Sequence, residues 1–158
     1  MVKLNRTTEY SLMAISYIRN KPNGEVSSAR EISEFYGVPF EILAKTLQKL
    51  KEKGVIASTY GTRGGYILSK DLNALDLGTF LRMMEGPVSL VSCSTPENHH
   101  DCEYLSKCNL KGAMFNLNTR IAEFLHRISL EEITRMGATT LNKLNIPTPE
   151  KIIHGEEP

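Results

Sequence analysis

The sequence has 158 residues, 41% of them hydrophobic, which is enough for one domain that folds around its own core. No window approaches the roughly 20 apolar residues of a membrane-spanning helix, and the start, MVKLNRTTEY, lacks the apolar stretch of a secretion signal. We therefore expect a cytoplasmic protein without membrane contact. The net charge of +1 is unevenly distributed, because residues 1–70 contain 11 basic and 6 acidic side chains whereas residues 71–158 contain 8 and 12. The basic first half indicates contact with a polyanion.

The first three predicted elements are helices. Apolar residues at helical spacing predict the first helix over roughly 7–20. Ser28 opens a capping box that starts a second helix, and Gly37 ends that helix. Pro39 suits the first turn of a third helix, which ends before Gly54. Two helices joined by a short turn that contains glycine are typical of a helix-turn-helix.

Two short β-branched runs follow at 55–59 and 66–68, and the glycine-rich turn between them predicts a β-hairpin. A helix-turn-helix followed by a hairpin with a basic tip is a winged helix-turn-helix. The exposed third helix of this motif enters the major groove of DNA, and the hairpin lies against the backbone or the minor groove. On these two elements we expect DNA contacts from Lys45, Gln48, Lys49 and Arg63.

Two further helices are expected after the hairpin. LDLGTFLRMMEG predicts a short helix that ends at Gly86 and Pro87. Beyond the cysteine-rich stretch, an apolar stripe from Leu110 to Ile128 steps by four, three, four, three and four, which gives about three heptads of an a/d seam. We expect this seam to pair with a second copy of the chain, through an interface formed by Met114, Leu117, Ile121, Phe124 and Ile128. A second capping box at Ser129 starts a short helix that ends at Gly137.

The predicted fold class is mainly α, a winged helix-turn-helix domain with a small β-hairpin wing plus a long dimerisation helix. The winged domain is expected over 1–87 and a cysteine-rich, cluster-binding loop over 88–110. The dimerisation helix and the short helix after it occupy 111–137, and 138–158 is expected to be a flexible tail.

All three cysteines lie within sixteen residues, in the polar stretch CSTPENHHDCEYLSKC that also contains His99 and His100. Cysteines that serve as small core residues would be scattered through apolar stripes. An odd number of cysteines in a reducing compartment argues against a disulfide framework. The stretch therefore favours a metal site or a redox switch. The sequence contains no nucleotide-binding fingerprint and no visible nucleophile–base pair, so we do not expect an enzyme.

Over roughly residues 1–135 the chain resembles the family of iron–sulfur-cluster, winged-helix transcription regulators that includes IscR, NsrR and RirA. The resemblance rests on TTEYSLMAISYI, on VSSAREISEFYGVPFEILAKTLQKLKEKGVIASTYGTRGGYIL, on LDLGTFLRMMEG, and on the cysteines that lead into CNLKGAMFNLNTRIAEFL. It implies a homodimer that crosses its long helices and binds double-stranded DNA at a palindromic operator. We expect the regulator to act as a repressor.

The resemblance also implies that Cys93, Cys102 and Cys108 are the thiolate ligands of an iron–sulfur cluster, and thiolates are the usual ligands of such clusters. We expect a 4Fe–4S cluster, with 2Fe–2S as the alternative. Zinc and unligated thiols stay open, because the ligand type alone does not fix the metal. The fourth ligand is expected to be Glu9 from the partner subunit; His99 and His100 compete with it.

The match departs from known members on the DNA-binding side. Tyr60 occupies the wing position at which several members place a groove-reading arginine, and we include Tyr60 and Ser28 among the expected DNA contacts. Ala44 and Lys45 stand where one member has a Glu-Gln pair, so the operator sequence does not transfer. The sequence thus predicts a dimeric regulator whose operator binding is controlled by a cluster that senses iron, nitric oxide or redox state. The alternative is a redox or metal-handling protein that uses the cysteine loop without DNA-linked regulation.

Overall fold

The computed structural model describes residues 3–22, 25–61, 64–91 and 102–135. Within these residues the fold is mainly helical with one two-stranded antiparallel sheet, which confirms the predicted fold class. In these ranges, every helix is too short or too polar to cross a lipid bilayer. In chain order the elements are α1 (Arg6–Arg19), α2 (Ala29–Tyr36), α3 (Phe40–Glu52), β1 (Ile56–Thr59), β2 (Gly65–Leu68), α4 (Leu77–Glu85), α5 (Lys111–His126) and α6 (Leu130–Thr134).

Local sequence sets the ends of the helix-turn-helix. Ser28 and Glu31 form the predicted capping box at the start of α2, and Gly37 ends the helix with a φ of 65°. Pro39 stands at the N-cap of α3, one position before the first helical residue. α3 then runs to its end just before Gly54, whose φ of 68° suits glycine. α2 therefore begins and ends as its sequence signals predicted, and α3 ends as predicted but begins one residue later, because Pro39 is its cap and not a residue of its first turn.

The core forms where α1, α2, α3 and α4 meet and where α6 closes one side. Its members recur at helical spacing on each element, so the inner face of α3 is fixed by burial and the opposite face is left to solvent. The largest apolar side chains that are fully buried are Phe80, Ile15, Ile32, Leu43, Leu47, Leu50, Ile56 and Leu130.

The hairpin is attached to the start of the helix-turn-helix. β1 and β2 pair in the register that places Thr59 opposite Gly65. Ser27 and Tyr66 exchange two backbone hydrogen bonds of 3.0 and 2.9 Å, which tie β2 to the residue before the N-cap of α2. A side chain at Gly65 would place its Cβ 2.7 Å from the carbonyl oxygen of Ser27, so glycine is required for this close approach. The hairpin is thereby held beside α2.

The C-terminal part of the described chain contains the second capping box. Ser129 accepts from the amide of Glu132 and starts the short helix α6, as predicted. The end expected at Gly137 and the tail over 138–158 lie outside the described residues. The same holds for 92–101, the middle of the predicted cysteine loop.

Candidate functional site

The outer face of α3 and the hairpin border an open groove of about 560 Å³. Because the core residues of α3 occupy the other side of the helix, the groove residues face outward, as they must on a helix that enters the major groove. Lys45 and Gln48, two of the predicted DNA contacts, lie in it. The complete lining is Phe40, Glu41, Ala44, Lys45, Gln48, Lys51 and Tyr66.

Lys49, a third predicted contact, has a different neighbour. Its ammonium group donates a hydrogen bond of 2.8 Å to the carbonyl oxygen of Met84 near the end of α4. The last carbonyls of a helix have no partner within the helix and carry partial negative charge, so a cation there is stabilising. Because this bond directs the amine towards α4, we leave Lys49 out of the proposed DNA contacts.

The remaining predicted DNA contacts belong to the start of α2 and to the hairpin. The hydroxyl of Ser28 accepts from the amide of Glu31 at 3.1 Å, which makes Ser28 the cap of a helix whose partly positive end adjoins the hairpin. Tyr60 is 93% exposed directly after β1. Arg63 lies outside the described residues.

Three residues near the groove were not predicted from the sequence: Arg30, Phe40 and Lys51. The guanidinium of Arg30 lies over the ring of Phe40, 5.8 Å from its centre. Phe40 continues the apolar spacing of the α3 core, so the sequence gives it the signature of a buried residue, yet it is 48% exposed. Lys51 could have been found, because it lies three residues after Gln48 and therefore on the same side of the helix.

Two of the three predicted thiolate ligands are described. Cys102 and Cys108 are half-buried free thiols in the turn-rich segment before α5. Cys93, His99 and His100 lie outside the described residues. In the part of the chain that is described, no three His, Cys, Asp or Glu side chains come together as a metal site. The two half-buried thiols fit the soft donor set of an iron–sulfur cluster, and the set is incomplete without Cys93.

Glu9 lies in the first turn of α1 and forms an ion pair of 2.9 Å with Arg6. The Arg6 side chain is mostly exposed, and ion pairs of this kind stabilise a fold by about 0–1 kcal/mol. A carboxylate held this weakly is available to a stronger partner. Within one protomer, however, Glu9 forms no common cluster with Cys102 and Cys108.

The predicted cysteine-rich loop over 88–110, called the cysteine segment below, follows the end of α4. Hydrogen bonds connect this junction to three other helices. Glu85 accepts a hydrogen bond of 2.9 Å from the amide of Asn5 at the N-cap of α1. The amide of Leu90 donates to the side chain of Asn118 on α5 at 3.1 Å. Together with the bond from Lys49, these contacts connect the last turn of α4 to α1 and α3, and the start of the cysteine segment to α5. A mostly apolar cavity of about 750 Å³ lies between α1, α4, α5 and α6.

The end of α5 is bound to the start of α4 by Asp76 and His126. Asp76 caps α4 by accepting from the amide of Thr79 at 2.7 Å, and His126 Nδ1 lies 2.6 Å from the same carboxylate oxygen. Burial opposes the ionisation of Asp76, but the hydrogen bonds from Thr79 and His126 outweigh it and lower the pKa of Asp76 below its usual value. The imidazole covers Gly78, at which a Cβ would lie 2.9 Å from the ring.

The five residues of the predicted dimer seam differ in their exposure to solvent. Leu117 and Phe124 are 44% and 41% exposed, whereas Met114 and Ile121 are half-buried against the protomer. Ile128 is only 3% exposed, and its carbonyl accepts a hydrogen bond of 2.7 Å from the first amide of α4. Since its burial is complete within one chain, we leave Ile128 out of the proposed interface.

Comparison with known proteins gives the family. Residues 4–136 match the family described as "Rrf2: Iron-dependent Transcriptional regulator". CymR (YrzC), described as the global cysteine regulator of B. subtilis, is 22% identical with a TM-score of 0.67, over 85% of this chain and 97% of that chain. T. potens IscR is 21% identical with a TM-score of 0.61, over 82% and 83%. These two likenesses show the fold. Because the family match spans most of the sequence, the chain belongs to the Rrf2 family of transcriptional regulators.

Proposed function

We propose that this protein is a dimeric repressor that binds a palindromic operator through α3 and the hairpin, under the control of an iron–sulfur cluster in its cysteine segment. It would act in the cytoplasm, where its operator is. Regulators of this family act by binding DNA, and the observation that carries the assignment to particular residues is the outward-facing groove of α3. In this proposal the exposed amines of Lys45 and Lys51 neutralise phosphates, and the side-chain amide of Gln48 pairs with adenine.

The proposed cluster ligands are Cys93, Cys102 and Cys108, with Glu9 of the partner subunit as the fourth. The family description as iron-dependent and the two half-buried thiols support this set. The weak pair between Glu9 and Arg6 supports the fourth position, because little is lost when the carboxylate changes partner. Such a cluster supplies a group that reacts with oxidants and with nitric oxide.

The contacts around the end of α4 support a path from the cysteine segment to the DNA-binding helix. Leu90 joins the start of the segment to α5, and Lys49 joins the last turn of α4 to α3. In this proposal a change in the position of the cysteine segment alters the hydrogen bond between Lys49 and Met84, which helps to position α3. Two α3 helices must reach grooves about 34–36 Å apart, so a small change in their setting alters binding to both half-sites.

Selection of bound duplexes from a random DNA library tests the DNA-binding part of this proposal. Full-length protein should enrich a palindromic sequence, and Gln48→Ala should lose about 1–3 kcal/mol of discrimination at one base pair per half-site. Arg127→Ala, an exposed change at the end of α5, is the matched control and should select the same sequence as the wild type. Enrichment of no sequence, or an unchanged preference in Gln48→Ala, would contradict the assignment. A coloured, iron-containing protein that enriches no sequence would favour the redox or metal-handling alternative.

A further inference from the structure

The first residue of α3 carries an apolar ring on a face that is mostly polar. Phe40 is 48% exposed and lines the groove with Ala44, which lies one helical turn further along the same side. Around these two side chains the groove presents the carboxylate of Glu41 and the charged or amide groups of Lys45, Gln48 and Lys51. The core beneath α3 is filled by other residues of the helix, so packing within the protomer leaves Phe40 about half exposed.

The ring is held in place from α2. The guanidinium of Arg30 lies 5.8 Å from the centre of the Phe40 ring, a distance at which a cation is attracted to an aromatic face. This contact restrains the ring and places a positive charge at the same end of the groove. Among the described residues around this apolar surface, three cations, Arg30, Lys45 and Lys51, outnumber the one carboxylate, Glu41. Such a surface fits a polyanion that presents an apolar group between its charges.

We propose that Phe40, with Ala44, binds the 5-methyl group of a thymine in each operator half-site, and that Arg30 neutralises a phosphate next to that base. The N-terminal residues of a recognition helix are those that contact base edges. Among the groups that base pairs present in the major groove, the thymine methyl is the apolar one. Any other base edge would leave its donors or acceptors unpaired against the ring, which is unfavourable. The proposal rests on the proposed function, in which α3 enters the major groove.

Phe35 provides a matched comparison. It is an exposed phenylalanine on α2, but its ring makes edge contacts with Tyr17 at 5.0 Å and Tyr36 at 4.8 Å, and it does not line the groove. Loss of its ring removes as much apolar surface as loss of the Phe40 ring, at a place where no base contact is proposed.

The test uses the selected operator with each thymine replaced in turn by deoxyuridine, which pairs identically but lacks the methyl group. Binding of the full chain, purified anaerobically, is measured by fluorescence anisotropy. Wild-type protein should bind about fourfold more weakly when one particular thymine in a half-site is replaced. Phe40→Ala and Phe40→Gln should bind the thymine operator more weakly and should not distinguish it from the deoxyuridine duplex. Phe35→Ala should keep the wild-type sensitivity.

Two results would overturn this inference while leaving the proposed function intact. The first is wild-type binding that is indifferent to every thymine replacement in an operator it otherwise recognises. The second is a Phe40 variant with native melting temperature that remains as sensitive to the methyl group as the wild type. If the protein selects no operator at all, the proposed function fails, and the Phe40 contact fails with it.

Discussion

Two lysines on α3 have the same chemistry and different surroundings. Lys45 is exposed in the groove that faces the hairpin. Lys49 is half-buried and donates to the carbonyl of Met84. Counterion release makes a phosphate contact visible in the salt dependence of DNA binding, whereas an internal hydrogen bond is visible in stability. The two roles can therefore be separated by experiment.

We expect Lys49→Met to lower the free energy of unfolding by about 1–2 kcal/mol, because the carbonyl of Met84 loses a charged donor. The same change should leave the salt slope of operator binding as it is. Lys45→Met should show the reverse, with the salt slope lower by about one and the stability within about 0.5 kcal/mol of the wild type. Urea denaturation and anisotropy titrations at several salt concentrations measure both quantities. A reduced salt slope in Lys49→Met at native stability would return Lys49 to the DNA contacts.

At the scale of elements, the short helix α6 depends on an ion pair with α1. Arg19 Nε donates to Glu131 at 2.8 Å, and a second contact joins its Nη2 to the other carboxylate oxygen. Both side chains are mostly buried. The Arg19 guanidinium holds the pKa of the Glu131 carboxyl below its usual 4.5. Because the pKa of Glu131 is lower in the folded state, the ion pair stabilises the fold at pH values above the usual pKa of a glutamate. This stabilisation is lost as the pH falls through the lowered pKa.

Glu131→Gln should reduce the free energy of unfolding at pH 7 by about 1–3 kcal/mol, since it leaves the Arg19 charge without its partner. As pH falls below the usual 4.5, the wild type should lose stability more steeply than the variant, so the two curves converge in acid. Glu123→Gln, an exposed change on α5, is the control and should follow the wild-type curve. A constant difference between wild type and Glu131→Gln across this range would show that ionisation of Glu131 is not the cause.

Signals within one element were sufficient to predict much of the fold. The capping box at Ser28 and the glycine at Gly37 act within a single helical turn, so the sequence alone locates the ends of α2. Such local signals do not predict the contacts between elements. Ile128 continues the spacing of the α5 stripe, but the helix ends at His126, and the carbonyl of Ile128 accepts from the first amide of α4. An amphipathic pattern separates the inner from the outer face of a helix, but it does not predict which other helix lies beside a given residue. The contact between Lys49 and α4 therefore could not be predicted.

At the scale of the whole molecule, α5 is a helix without a buried side chain. Leu110, Leu117 and Phe124 recur every seven residues and are all exposed, so they form one row along the helix. Phe115 adds further exposed apolar surface. A continuous row of exposed apolar side chains is typical of an association surface, and the proposed partner is a second copy of the chain.

Leu117→Asp should convert the proposed dimer to monomer, because it places a charge in the centre of this row, opposite or near its own symmetry mate. Leu117 is a cleaner choice than Ile121, which also lines the cavity inside the protomer. Sedimentation velocity gives the mass, and circular dichroism checks that the helices are retained. Asn116→Asp, at an exposed neighbouring position, is the control and should remain dimeric. A Leu117→Asp dimer as stable as the wild type would place the interface on another surface.

In the proposed mechanism, iron bound to the cysteine segment controls operator binding. The most direct test of this control is the operator affinity of one anaerobic preparation, measured before and after its iron is removed by a chelator, with the visible spectrum recorded alongside. We expect a coloured protein whose affinity changes by about fivefold or more when the colour is lost, which is the usual size of coupling between two sites. Cys108→Ser should be colourless and should bind as the iron-free protein does. Equal affinity with and without iron, or a colourless wild type that binds the operator fully, would contradict this mechanism.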